Sequence, residues 1–204
     1  MLADYASMRR LTQERLYLAA YLGDSDSASI LGPLHRRASA DLYECVRGLA
    51  PWGQIACVTA AYSAASHVCL VVQNEIPQHC CSCVTTVINA VGAWLPYYQN
   101  TRALAMLDPY RERFFREATI EPDMVRGSDL SYEVHMMVMM LLNAIWQEGC
   151  LVGSPSAAPR AAECAAAAVK HARNAVASRQ IPQLHGTLDA AVYVAMTTWA
   201  LDTE

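Results

Sequence analysis

Charge is scarce in this chain of 204 residues, and it is almost missing from one long stretch. Only 17% of the residues are charged, whereas 54% are hydrophobic. Between residues 48 and 101, Glu75 is the one fully ionised side chain, and His67 and His79 are the two histidines. A helix without charge on any side is either a membrane span or the centre of a protein core, because it has no face for water.

Basic clusters are few as well. The net charge is −4, and lysine occurs once among 15 basic residues. A nucleic-acid-binding domain usually has a concentrated basic surface, so this composition argues against nucleic acid as a partner.

The first residues, Met1-Leu2-Ala3-Asp4-Tyr5, lack the apolar core of a signal peptide. We therefore expect an intracellular, cytoplasmic protein, with the cytoplasm of a host cell as the place if the chain is viral.

Motifs for catalysis and for metal binding are missing. The chain has no Gly-rich phosphate loop, no Gly-x-Ser-x-Gly elbow and no His-Glu-x-x-His pair. Cys80 and Cys83 form a single Cys-x-x-Cys, whereas a structural zinc site needs four ligands, usually from two such pairs. In an intracellular chain the eight cysteines are expected to be reduced thiols. We therefore predict a protein that is not an enzyme and that holds no metal and no cofactor.

Two long uncharged segments are present, at residues 52–73 and 77–95, joined by the polar turn Gln73-Asn74-Glu75-Ile76-Pro77. As a helix, each segment is about long enough to cross roughly 30 Å of hydrocarbon. However, the segments are rich in Ala, Ser, Thr and Cys, and basic residues do not flank them in the pattern that sets membrane topology. We therefore predict an antiparallel helical hairpin at the centre of a fold in water, with membrane association as an option that is not constitutive.

Helical periodicity continues outside the hairpin, and neither strand alternation nor an internal repeat is present. The apolar spacing and the capping residues predict further helices over residues 4–22, 34–48, 101 or 108 to 118, 128–148, 159–180 and 187–201. The sequence thus predicts an all-α bundle of seven to eight helices around the hairpin, in a single domain over residues 1–204. The Gly/Ser/Pro-rich segment 149–159 is a candidate boundary or flexible linker.

Residues 47–55 read Arg-Gly-Leu-Ala-Pro-Trp-Gly-Gln-Ile, a helical hairpin follows, and a second tryptophan, Trp94, lies near its end. This arrangement resembles the Bcl-2 family of apoptosis regulators, in which an Arg and a Trp-Gly pair open a central apolar helix. The likeness covers about residues 42–109. Three features differ from the family pattern: Pro51 replaces an Asn, Gln54 replaces the Arg that pairs with an acid of the ligand, and Gln99-Asn100-Thr101 stands where the family has Gly-Gly-Trp.

The resemblance implies a regulator of apoptosis that captures the amphipathic death-motif helix of another protein in a groove. The groove implied for this chain consists of Leu42, Val46, Arg47, Trp52, Gly53, Gln54 and Ile55. In this hypothesis Arg47 is the cation for a ligand acid, since Gln54 carries no charge. The alternative is that these residues have no role in binding: Trp52 and Ile55 pack in the core, and Arg47 is a solvated charge.

A different class of function fits the same composition. A helical self-assembling structural or scaffold protein, for example a viral structural subunit, would also have low charge and many alanines for buried subunit contacts. Its partner is then a second copy of the chain rather than a foreign helix. A monomer that binds a helical peptide indicates the first function, and a discrete oligomer indicates the second.

Overall fold

The computed structural model describes residues 42, 43, 45–72, 78–120, 129–147, 149–178, 184, 186–189, 191, 192 and 195. Within this part of the chain 86% of the residues are helical and none lies in a strand, so the predicted all-α class is confirmed. The helix predicted over residues 4–22 and the turn predicted over residues 73–77 lie outside the described residues.

Six α-helices have defined bounds in the described part of the chain. They are α1 (Gln54–Val72), α2 (Gln78–Trp94), α3 (Thr101–Ala105), α4 (Asp108–Ile120), α5 (Asp129–Ile145) and α6 (Ala158–Ala177). Short 3-10 turns lie before α1, after α2 and before α6, at Ala50–Trp52, Leu95–Tyr97 and Pro155–Ala157. Residues 42, 43 and 45–47 are also helical, and so are the described residues between 184 and 195.

Helix α1 is buried on most sides, as its lack of charge predicts. Twelve of its 19 residues are buried. Among the described residues, α1 is the one helix that is long and apolar enough to cross a membrane, and 61% of its most apolar window is buried inside the fold. A central core helix has the same length and composition, so this property does not distinguish the two settings.

The helix that shares the centre with α1 is α6. Helix α6 packs along both α5 and α1, whereas the contact between α1 and α2 is smaller. The reason lies in side-chain size, since α6 buries eight alanines and two valines. Small side chains allow helix axes to approach closely. The predicted central hairpin therefore contributes α1 to the centre, and α2 packs against α1, α4 and α5 with one face.

The contact between α1 and α2 depends on a glycine. Gly92 of α2 faces the ring of Tyr62 of α1, and a Cβ atom at position 92 would overlap the Tyr62 hydroxyl group and ring. The missing side chain at Gly92 thus makes room for a tyrosine between two helices.

The Gly/Ser/Pro-rich segment 149–159 joins two helices that pack against each other. Gly149 and Gly153 have φ angles of 73° and 81°, a region that favours glycine. With these two residues the chain reverses direction between α5 and α6. The segment is therefore the turn of a helical hairpin.

Ala165→Leu is expected to destabilise the protein, because Ala165 of α6 is fully buried and the packed centre has no space for three more carbon atoms. Overpacking of this kind costs about 1–3 kcal/mol. Urea denaturation followed by circular dichroism measures the change. The control is Ala177→Leu at the exposed end of the same helix, which is expected to leave the midpoint nearly unchanged. Equal midpoints for the two variants would contradict the central placement of α6.

Two half-buried histidines, His135 and His67, are expected to make the stability of the fold depend on pH. His135 of α5 stacks on Phe114 of α4, with ring centroids 4.5 Å apart and 15° between the ring planes. Burial lowers the pKa of His135 below its ordinary value, and burial lowers the pKa of His67 of α1 in the same direction. As the pH falls below about 6.5, the unfolded chain takes up protons at these positions before the folded protein does. We therefore expect these two histidines to lower the free energy of unfolding as the pH falls.

His135→Phe should reduce this loss of stability, because phenylalanine keeps the stack on Phe114 and does not titrate. We expect the unfolding free energy of the variant to change less than that of the wild type between about pH 7.5 and about pH 5.5. Urea denaturation at several pH values measures both slopes. Identical slopes would show that His135 does not contribute.

Candidate functional site

The seven residues of the predicted groove lie at one junction, where the helical residues 42, 43 and 45–47 lead into the 3-10 turn and the start of α1. Leu42, Val46 and Ile55 are buried and belong to the main hydrophobic core. In this conformation their side chains contact other parts of the chain and leave no surface for a ligand. In the structure, these three side chains pack in the core. Their role as peptide anchors stays a prediction.

Trp52 and Gly53 form the corner of the junction. The Trp52 side chain is half-buried and packs against the core. Gly53 has a φ angle of 94°, and its N–H donates to the carbonyl oxygen of Ala50 over 3.1 Å. A Cβ atom at position 53 would meet nothing within 4 Å. Glycine is therefore needed here for its backbone conformation, and not for a close approach to a neighbouring helix.

Gln54 faces the interior of the protein. Its side-chain Nε2 donates to the carbonyl oxygens of Ala144 (2.8 Å) and Ile145 (2.7 Å), and its Oε1 accepts the N–H of Gly153 (2.5 Å). The residue is 1% exposed. The last carbonyl groups of a helix have no partner within the helix, so Gln54 caps the C-terminal end of α5.

The sequence contained a signal for this role, although not for its partners. Gln54 is a polar residue in the first turn of a helix that is apolar on most sides, and a buried amide requires hydrogen-bond partners. Its partners are about 90–100 residues away in the chain, and no local pattern identifies them. The predicted groove position is thus occupied by a side chain that holds three parts of the fold together.

Arg47 is the charged residue of the predicted site, and it lies at the surface. Its Nη2 and Nε donate to Oε1 of Glu163 of α6 over 2.6 Å and 2.9 Å. The two side chains are 42% and 54% exposed. The guanidinium carbon also lies 5.8 Å from the centre of the Tyr43 ring. Arg47 is therefore held between an aromatic ring and a carboxylate. A charge that is only solvated would have neither contact.

Two further polar clusters connect α6 with its neighbours. Glu133 of α5 accepts from His171 (2.7 Å) and from Asn174 (3.2 Å). Arg173 Nε lies 3.4 Å from the buried carboxylate of Asp189. Both clusters consist of residues that bridge packed helices. Their contacts stabilise the position of α6.

Two observations concern metal-ligating and nucleophilic side chains in the described part of the chain. Three or more His, Cys, Asp or Glu side chains do not come together there as a metal-binding group. Burial raises the pKa of the Cys57 thiol to about 12. Because the thiolate is the nucleophilic form, this cysteine is inert at neutral pH.

Comparison with known proteins adds no further constraint. No family model, no curated protein and no solved structure matches the chain. The resemblance to the Bcl-2 family thus depends on residues 47–55, the hairpin and Trp94 alone, and it stays a prediction.

Gln54→Leu should be one of the most destabilising single changes in the chain. Leucine has a similar size, but it leaves the carbonyl oxygens of Ala144 and Ile145 and the N–H of Gly153 without a partner. An unsatisfied buried group costs about 1–3 kcal/mol, so we expect a loss of about 3 kcal/mol or more. The control is Gln99→Leu at an exposed position. If chemical denaturation gives both variants the same midpoint, the capping role of Gln54 is wrong.

Proposed function

We propose that this protein is a non-catalytic binding protein that captures an amphipathic, acid-bearing helix of another protein, and that it regulates apoptosis in this way. The observation that supports the proposal is the Arg47–Glu163 pair. The cation of Arg47 lies at the surface, where it binds a carboxylate presented by helix α6. Within the chain, the Arg47 guanidinium thus binds a carboxylate on a helix. The proposal requires the same kind of contact between Arg47 and the ligand helix.

The surface around Arg47 offers apolar area as well as charge. Tyr43 contributes an aromatic ring beside the guanidinium group, and the half-buried Trp52 lies at the same junction. Aromatic rings provide large contact areas and attract neighbouring cations through their faces. We therefore place the ligand helix across Tyr43, Arg47 and Trp52. The buried Leu42 and Val46 support this surface from below.

The ligand acid would replace Glu163 as the partner of Arg47. An exposed ion pair contributes at most about 1 kcal/mol, so this exchange costs little. Exposing Leu42 or Val46 would cost more, because it would remove fully buried side chains from the core. A surface contact at Arg47 is for this reason favoured over deep pockets at those two positions.

Glu163→Gln and Arg47→Glu are expected to change peptide affinity in opposite directions. The first change removes the carboxylate that competes with the ligand, so the affinity should rise several-fold. The second replaces attraction by repulsion, so the affinity should fall several-fold or more. Fluorescence polarisation with a panel of amphipathic death-motif peptides measures both changes. Each peptide is paired with a version in which its acidic residue is replaced by alanine.

The control is Arg116→Glu, an exposed change of the same charge on α4. It should leave peptide affinity within about twofold of the wild type, because Arg116 is outside the proposed contact and distant exposed charges are screened. Melting curves of all three variants should match the wild type, since the altered side chains are exposed. No detectable binding by the wild type would contradict the proposal, and so would equal binding by the wild type and Arg47→Glu.

A further inference from the structure

The last helical part of the described chain packs against α1 and α6. We call the described residues between 184 and 195 the C-terminal segment. Leu188 and Val192 lie four residues apart and are fully buried in the main hydrophobic core. Asp189 is 4% exposed, and its Oδ1 lies 3.4 Å from Nε of Arg173 of α6. Apolar burial and a buried ion pair thus hold one side of the segment.

Two polar side chains of α1 hold the segment as well. Ser63 Oγ donates to the carbonyl oxygen of Ala191 over 2.8 Å, and one helical turn later His67 Nε2 lies 3.0 Å from Thr187 Oγ1. The Thr187 hydroxyl donates to the carbonyl oxygen of Leu184 over 3.0 Å. A hydroxyl group has one hydrogen, so Thr187 accepts the bond from His67. The neutral ring of His67 therefore carries its proton on Nε2.

A second proton on His67 would place a charge where α1 has none. His67 is the one residue of α1 that can become a cation. Since Nε2 already holds a proton, the second proton binds Nδ1 and adds no hydrogen bond to Thr187. Burial lowers the pKa of His67 below its ordinary value. The charged ring is therefore less stable in this arrangement than in water.

Two further polar contacts involve the helices that meet here. Arg173 of α6 faces Asp189 of the C-terminal segment, and Nδ1 of His171 of α6 lies 2.7 Å from Oε2 of Glu133 of α5. Burial, and not a neighbouring charge, causes the lowered pKa of His67. Uncovering the ring would therefore remove the cause.

We propose that the C-terminal segment opens locally from α1 and α6 when His67 takes up a proton. Opening gives the ring access to water, while α1, α5 and α6 keep their contacts with one another. His67 binds its second proton more strongly in the open form than in the closed form, so a falling pH favours opening. The open form stays a minor population, because opening brings Leu188 and Val192 into water.

Hydrogen exchange of the full chain, followed by mass spectrometry at about pH 7.5 and about pH 5.5, tests the proposal. The protection of each peptide is the exchange rate of an unfolded chain divided by the observed rate at the same pH. We expect the C-terminal segment to be less protected than α5 at both pH values, because α5 exchanges only in larger openings. The protection of the segment should fall severalfold at the lower pH. The upper limit is about tenfold, for one histidine with a pKa of about 6.5 in the open form.

His67→Gln is the decisive variant, because a glutamine amide can donate to Thr187 and does not titrate. The protection of the C-terminal segment should then be the same at both pH values. His135→Phe is the matched control, since it removes a half-buried histidine that stacks on Phe114 of α4 instead. This control should keep the severalfold fall in protection.

A variant of the segment itself tests the same contact from the other side. Thr187 is exposed, so Thr187→Val should leave the protein folded. Valine cannot accept the hydrogen bond from His67, and the closed form is weakened. We expect lower protection of the C-terminal segment at both pH values, and unchanged protection would contradict the role of this contact.

An unchanged fall in His67→Gln would overturn the proposal, since another group, such as Asp189, would then be the one that titrates. Equal protection of the C-terminal segment and of α5 at the lower pH would overturn it too, because the segment would then open only when the whole protein unfolds. A fall that His135→Phe removes would have the same meaning. Arg47→Glu should leave the protection unchanged, so the result does not depend on whether the protein captures a peptide.

Discussion

The fold depends on a single buried amide. Gln54 lies at the first residue of α1, and its hydrogen bonds reach the last carbonyl groups of α5 and the turn that leads to α6. The three helices at the centre are therefore joined at one end by one side chain. Apart from the contacts of Glu133 of α5 with His171 and Asn174 of α6, the central contacts are mostly apolar and non-directional. Apolar contacts tolerate small shifts of one helix along another. A hydrogen-bonded side chain at a fixed position sets their register.

The helical class and the approximate extent of the helices between residues 54 and 177 could be predicted, because apolar periodicity and capping residues are local properties. The sequence could not predict which helices meet. Helix α6 has a charged face and short side chains, so it has the features of a surface helix, yet its alanines allow the closest contact with α1 and α5. Of the two starts expected for the next helix, the one at residue 108 is confirmed, because α4 begins at Asp108. The start at residue 101 belongs to the separate short helix α3, since the chain turns again at Met106 and Leu107.

In the candidate site, too, local properties could be predicted and tertiary contacts could not. The sequence identified Arg47 as an available cation, and the structure places it at the surface. The sequence could not identify Glu163 as the partner of Arg47, because Glu163 is 116 residues away in the chain. Polarity alone did not separate Gln54 from a ligand-binding residue, because a buried capping side chain and a groove side chain are both polar residues next to apolar ones. Burial separates the two roles, and burial results from tertiary packing.

The distance along the chain between α1 and α6 has a consequence for folding during synthesis. Helices α5 and α6 are neighbours in sequence, and alanine-rich α6 has a high intrinsic helix propensity, so this pair can form early. Helix α1 leaves the ribosome about 100 residues before its main partner does. During that interval α2 covers only part of α1, and the apolar surface that α6 later buries is exposed, as in other aggregation-prone intermediates. Slow synthesis of the C-terminal half would therefore favour aggregation of the nascent chain.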